Sequence, residues 1–302
     1  MSARIERRCV VRAGAASVVC HIRGRGPLCV AHPGGPGMHW EYLRMPLVER
    51  NLTMVYLEPV GTGASSRMPA GARAGLATYA EHVDAVVREI ADGPVFLLGH
   101  AHGGFVAQRY VVQSPERVAG LILYATAAVA NAQTRAAARE NLRRQARANV
   151  NEADPVAMMA SFDRSPGRTV QDATMRLYEI FPAYFADYWR RQPEFAQLRD
   201  SIRCWPEPTA DFDGRFDARA ALSSITVPTL VLSGAHDFGF PPETAAMLGL
   251  AIPDARLETF QQSGHFPHLE EAERFAHLVL EFTRRVPGSV RAAHHRSRDT
   301  DR

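Results

Sequence analysis

The sequence predicts an α/β fold: a mostly parallel sheet flanked by helices, with a helical cap inserted into it. Three observations carry this expectation. Short continuous apolar runs alternate with segments of helical periodicity, the pattern of strands buried on both faces and their crossover helices. Several of those runs stop at loops rich in glycine and proline, the composition of tight turns. The alternation breaks after Tyr124 and resumes near Thr229, so a helical segment interrupts the strand order.

Each element follows in order. Cys9–Ala13 and Ser17–Ile22 flank a turn at Gly14 and read as an antiparallel hairpin. Residues 27–31 form a short apolar strand, and 52–57 form another, ending at Glu58-Pro59-Val60-Gly61-Thr62-Gly63. Across 78–90, Tyr79, Val83, Val86, Val87 and Ile90 recur at helical spacing. Residues 94–98 read as a buried strand, 103–113 as a helix and 118–124 as the next strand. From Thr126 to about Leu222 the chain reads as helices and loops without a clear buried strand; 127–150 is rich in alanine and arginine, and 175–191 in aromatic residues. Then come a strand at 229–233, a helix at 243–251, a strand at 256–260 and a closing helix at 268–285. The predicted organisation is therefore core 1–125, cap 126–222, core 223–286, and a basic, polar tail 287–302 that reads as disordered.

The length of 302 residues accommodates one large α/β domain with an insertion, and 46% hydrophobic residues supply a sizeable core. The net charge of +3, in part a property of the arginine-rich tail, gives no reason to expect nucleic acid or an anionic membrane as partner. No apolar run reaches membrane-spanning length, and the first residues lack the apolar segment of a signal peptide, so the sequence predicts a cytoplasmic protein. The four cysteines show no metal-ligand spacing and read as free thiols; a Cys9–Cys20 disulfide between neighbouring strands is the alternative. No metal and no cofactor is expected.

Four motifs carry the chemistry. Gly99-His100-Ala101-His102-Gly103-Gly104 lies between a strand and a helix. A strand that turns sharply into a helix needs small residues around the tip, because the backbones approach closely, and the tip is then held strained and exposed above the sheet. The tip is Ala101. The second motif, His32-Pro33-Gly34-Gly35-Pro36-Gly37, follows an earlier strand. Its glycines let backbone N–H groups reach a developing oxyanion, with Gly35 as the expected donor and Gly34 the alternative. The second donor is the N–H of His102, at a helix N-terminus whose dipole also favours negative charge. The third and fourth motifs are Gly234-Ala235-His236-Asp237 and Ser263-Gly264-His265, each after a strand. Asp237 is placed to orient His265, and His265 to carry a proton to and from a nucleophile and leaving group.

Taken together, Pro33–Gly37, Gly61-Thr62-Gly63-Ala64-Ser65, Gly99–Gly104, Gly234–Asp237 and Gly264-His265 resemble the α/β-hydrolase superfamily, most of all its proline iminopeptidase-like branch, over roughly residues 15–130 and 215–285. The resemblance implies a cofactor-free hydrolase that cleaves a small ester, amide or N-terminal peptide bond through an acyl-enzyme, with residue 101 as nucleophile. The chain departs from the pattern in three places. Pro33 stands where many members have histidine, Glu58-Pro59-Val60-Gly61 replaces Asp-x-Arg-Gly, and Ala101 replaces the serine. A methyl group cannot attack a carbonyl, so the acyl-enzyme route is closed to the chain as written. Two accounts of Ala101 stand open. One is a deliberate Ser→Ala change, favoured by the intact Asp237, His265 and glycine loop. The other is a natural member that binds a ligand without hydrolysing it, or uses His265 as the base of a lyase or cyclase. His100 and His102 are too close to the elbow to replace the nucleophile.

The cap offers an aromatic cluster. Tyr184, Tyr188 and Trp189 are the candidate contacts for an apolar or aromatic group on a small-molecule substrate, with packing inside the cap as the alternative reading for most of the aromatic residues there. An iminopeptidase also needs cap carboxylates for the substrate amine; Glu179, Glu194 and Glu207 are the candidates. Arg190 and Arg191 read as surface charge, with a contact to a substrate carboxylate as the alternative.

Overall fold

The computed structural model describes residues 5–67, 74–165, 167–206 and 215–286. The expected hairpin is β1 (Ile5–Ala13) and β2 (Ala16–Gly24), turning at Gly14, whose φ of 60° lies in the left-handed region that glycine enters without steric cost. It is followed by β3 (Leu28–His32), β4 (Thr53–Glu58), α1 (Leu76–Ile90), β5 (Val95–His100), α2 (His102–Gln113) and β6 (Val118–Tyr124). The eight-stranded sheet has the order β1-β2-β4-β3-β5-β6-β9-β10, completed by β9 (Thr229–Gly234) and β10 (Ala255–Phe260). The β1–β2 and β2–β4 pairs are antiparallel and the remaining pairs parallel.

Alternation along the central strands splits the core into two layers. Val30, Val55, Leu97, Leu123 and Val231 face α1, α2 and α7 (Pro242–Ala251), whose Val83, Phe105, Tyr110 and Leu248 pack on them. Cys29, Met54, Phe96, Leu98, Ile122 and Leu230 face the closing helix, α9 (Ala272–Arg285), through Phe275, Val279 and Phe282. Burial on both faces is why these strands read as unbroken apolar runs. The register sets His32 opposite Gly99, His100 opposite Tyr124 and Tyr124 opposite Leu232, so the carboxyl ends of β3, β5, β6 and β9 lie level along one edge of the sheet.

Between β6 and β9 lie α3 (Ala132–Ala148), α4 (Pro155–Asp163), α5 (Val170–Ile180) and α6 (Tyr188–Ser201). Three of the four begin on a side-chain cap: Asn131, Asp154 and Thr169 each accept backbone N–H groups of the first turn. The sequence showed no strand in this region, yet β7 (Val129–Asn131) and β8 (Arg215–Asp217) pair antiparallel where the segment leaves and rejoins the core. Three residues are too few for a period-2 signal. A second tie joins the segment to the core: Trp205 N–H donates to the Gly37 carbonyl at 2.8 Å, and His39 N–H to that of Arg203 at 2.9 Å.

Two further details differ from the sequence expectation. The closing helix is split into α8 (Pro267–Glu270) and α9, with Glu271 at φ −129° and ψ 51°. No glycine or proline marks the break. It lets Glu270 and Glu271 turn back onto the N–H groups of Gly264 and Gln262. Cys9 and Cys20 do face each other across β1–β2, and both are free thiols. The tail from Pro287 and Glu207 lie outside the described residues. No helix among the described residues is long and apolar enough to cross a membrane.

Candidate active site

The elbow is built by backbone crowding. A Cβ on Gly99 would overlap the Gly103 carbonyl, and a Cβ on Gly103 would overlap that of His32. Ala101, between them, has φ 50° and ψ −114°, a conformation that costs a non-glycine residue free energy and persists only where its surroundings impose it. Those surroundings are Ala101 N–H donating to the Tyr124 carbonyl at 3.0 Å and the Ala101 carbonyl accepting from Thr126 Oγ1 at 2.8 Å and Gly104 N–H at 2.9 Å. Ala101 is 5% exposed.

Asp237 and His265 meet at the ends of β9 and β10. His265 Nδ1–H donates to Asp237 Oδ2 at 2.7 Å, with both side chains buried. The other carboxylate oxygen accepts from Gly239 N–H at 2.9 Å and Phe240 N–H at 3.0 Å, so the acid is fixed on both sides. Phe240 stacks on the imidazole at 5.8 Å between centroids, and Tyr184 lies 5.2 Å from it. His265 N–H donates to the Tyr184 carbonyl at 2.6 Å, which ties the cap to the histidine loop. Glu270 strengthens that tie: one oxygen accepts from Ala186 N–H and the other from Gly264 N–H, both at 2.8 Å. Burial pushes the Glu270 carboxyl up to about 7 against the opposing pull of these two N–H groups.

The glycine loop crosses directly over the elbow. A Cβ on Gly34 would lie 3.0 Å from that of Ala101. Gly34 N–H is already committed, donating to Tyr42 Oη at 2.6 Å. Gly35 has φ 120°, which a residue with a side chain rarely adopts, and its N–H has no acceptor among the described residues. His102 is the first residue of α2, so its N–H belongs to the turn that has no acceptor inside the helix. Of the two loop N–H groups, that of Gly34 is thus the committed one.

The histidines beside the elbow are held in packing and hydrogen bonds of their own. His102 and His32 are buried against each other and Tyr79, and desolvation pushes them down to about 3 and about 4, respectively. His100 is buried with Nδ1 on Tyr42 Oη at 2.7 Å, and burial pushes it well below the usual histidine range. None of the three side chains stands at the elbow tip, which is Ala101.

Of the expected cap contacts, Tyr184 is brought to the dyad. Tyr188 instead packs on Phe181, Phe185 and Phe195, and Trp189 on Tyr188. Both line a small cavity inside the cap together with Gln145 and Met158. Glu179 pairs with Arg164 at 2.9 Å and Glu194 with Arg191 at 2.8 Å, both toward solvent, while Arg190 is exposed beside Asp187. Sequence reasoning missed Tyr42, Phe238, Phe240 and Glu270. A lone tyrosine in a turn carries no signal, but Phe238 and Phe240 directly flank the Asp237 motif and were legible there. Among the described residues no group of three histidine, cysteine or acidic side chains could hold a metal ion.

Residues 27–272 match the family model of the alpha/beta hydrolase fold. Among curated proteins the chain is similar to 2-hydroxymuconate semialdehyde hydrolase of Pseudomonas sp. (strain CF600), at 29% identity over 87% of this chain and 88% of that protein. It is also similar to a proline iminopeptidase of Heyndrickxia coagulans, at 22% identity over 86% and 91%. Among solved structures it is similar to a thermophilic esterase from Thermogutta terrifontis, at 24% identity and a TM-score of 0.70, over 93% of this chain and all of the other. These relatives are hydrolases of different bonds, so they do not single out the iminopeptidase branch. With the family model covering most of its length, the chain belongs to the alpha/beta hydrolase fold family.

Proposed function

We propose that this site is built for acyl transfer on a small molecule and that Ala101 holds it one oxygen short of the covalent step. In this reading His265 is the general base and acid, Asp237 its orienter, and the Gly35 and His102 N–H groups the oxyanion donors. The observation that carries it is the His265–Asp237 hydrogen bond of 2.7 Å, buried beside an elbow whose tip keeps the strained backbone of a nucleophile position. A site without use for proton transfer has no physical need for a buried carboxylate aligned on an imidazole, because burying that charge costs free energy.

The surroundings favour an apolar acyl group. Tyr184, Phe240 and Phe266 all approach the His265 ring, and Phe238 packs on Tyr184. The iminopeptidase reading has less support, because Glu179 and Glu194 are paired with Arg164 and Arg191. Esters and small oxo acids of the kind named for the semialdehyde hydrolase are the better first substrates.

The test is burst and steady-state kinetics of this chain and Ala101→Ser on p-nitrophenyl esters, aminoacyl-p-nitroanilides and a dienoic oxo acid. The expected result is a burst and turnover in Ala101→Ser, with activity in the parent lower by several orders of magnitude. Turnover by the parent that disappears in His265→Ala would instead support a lyase or cyclase using His265 as base. Ligand binding without turnover in either chain would support a binding protein.

A further inference from the structure

Behind the site lies a closed set of hydrogen bonds whose directions can be assigned without ambiguity. His100 Nε2 lies 3.2 Å from the His265 carbonyl oxygen. A carbonyl oxygen only accepts, so Nε2 carries the hydrogen and Nδ1 of the neutral ring must accept. Its partner, 2.7 Å away, is Tyr42 Oη, which therefore donates to it. The Tyr42 oxygen in turn accepts the Gly34 N–H at 2.6 Å. The same pattern repeats one layer away. His268 Nε2–H donates to the Tyr42 carbonyl at 2.9 Å, and His268 Nδ1 accepts from Tyr124 Oη at 2.7 Å.

The consequence is a directed chain from Gly34 N–H to Tyr42 O–H to His100 to the His265 carbonyl, while the Tyr42 backbone is itself held through His268 and Tyr124. It joins the glycine loop after β3, the turn at Tyr42, the end of β5, and the histidine loop after β10. Every side chain in it is buried, so water cannot substitute for a lost partner at low cost.

We propose that Tyr42 and His100 are positioning residues that set the oxyanion loop and the His265 loop in register over the elbow. They act through backbone groups and touch no reacting atom. The proposal rests on the acyl-transfer reading only for its kinetic consequence; the hydrogen-bond chain is testable in the parent chain.

The experiment has two arms. In the first, ring nitrogen NMR of the parent chain is recorded between about pH 5.5 and pH 8, where an ordinary histidine titrates. His100 and His268 are expected as neutral Nε2–H tautomers that do not titrate there, and Tyr42→Phe is expected to shift both the His100 Nδ1 and the His265 ring resonances. A His100 Nδ1–H tautomer, or His265 resonances unmoved by Tyr42→Phe, would overturn the proposal. In the second arm, Tyr42→Phe is placed on Ala101→Ser, retaining the ring and its volume. The expected outcome is kcat lowered about 10- to 100-fold with KM changed less than about 3-fold, the pattern of lost alignment. His100→Gln, whose amide reaches the His265 carbonyl, should lose less than Tyr42→Phe. A loss confined to KM, or equal kcat in all three, would overturn the positioning role. If Ala101→Ser itself shows no turnover, the acyl-transfer reading fails while the NMR arm still decides the chain of bonds. If Tyr42→Phe fails to fold, His100→Gln carries both arms: no shift at His265 and no change in kcat would overturn the proposal.

Discussion

At the scale of single residues, the site depends on donors whose directions are fixed from outside. Asp237 shows this best. Its Oδ1 accepts from the N–H groups of Gly239 and Phe240, so an asparagine at 237 would keep its oxygen there and turn its NH2 toward His265 Nδ1. The imidazole would then carry its hydrogen on Nε2 and could not accept a proton from a nucleophile. On the Ala101→Ser background, Asp237→Asn is expected to lower kcat by roughly 10⁴-fold with the fold intact, the size of loss a wrong tautomer produces in such triads. Steady-state kinetics beside an unchanged thermal melt check it. Gly103 is the opposite kind of residue, one that matters to folding rather than to the reaction. A Cβ there runs into backbone carbonyls of His32 and Pro33, which cannot swing aside as a side chain could. Gly103→Ala is therefore expected to cost about 1–3 kcal/mol in a urea melt. These glycines were legible in the sequence because close backbone approach restricts residue type. Tyr42 was not legible, since its role depends on His100, which lies 58 positions further along the chain.

At the scale of elements, the strands of the core could be read from the sequence and the joints of the cap could not. Val118–Tyr124 is one unbroken apolar run because both of its faces are covered. The break between α8 and α9 leaves no local mark, because it is set by Glu270 reaching Gly264 and Ala186, contacts that exist only after the cap has docked. That same clamp makes a prediction about pH. Burial holds the Glu270 carboxyl near 7, above its unfolded value of 4.5, so the folded chain binds a proton through the interval between them. The associated stability is present in full below about pH 4.5 and is lost as the pH rises through about 7. Glutamine cannot ionise, so Glu270→Gln removes this dependence, while its amide keeps only one of the two N–H acceptors. Thermal melts at about pH 6 and pH 8 should show a smaller difference in Glu270→Gln than in the parent, by about 1 kcal/mol. An equal difference in both chains would place the ionisation of this carboxyl outside that range.

At the scale of the whole molecule, the fold carries an unusual load of buried neutral imidazole. His32 and His268 are held down near 4 and His102 near 3, each by desolvation, and His100 is pushed well below the usual histidine range by burial and the neighbouring His265 and His268. The motif spacing marked His102 for its backbone N–H, but the depth of all four follows from the packing of several loops at one sheet edge, which no short window of sequence contains. For a histidine whose folded pKa is depressed, the unfolded chain binds the extra proton. Stability is therefore complete above about pH 6.5 and falls as the pH drops toward the folded values. Each such group contributes on the order of 3 kcal/mol across that interval, against a total stability of about 5–15 kcal/mol for a typical domain. Glu270 opposes the trend with one group, so the histidines dominate. The expected outcome is a steep, cooperative loss of stability between about pH 6.5 and pH 4, seen as a falling urea midpoint. His268→Gln gives the cleanest check: glutamine can still donate to the Tyr42 carbonyl, but it has no proton to gain. This variant should be less stable than the parent near pH 7 and lose less stability on acidification. If its urea midpoint tracked the parent's across the whole range, His268 would not be among the buried groups that drive acid unfolding.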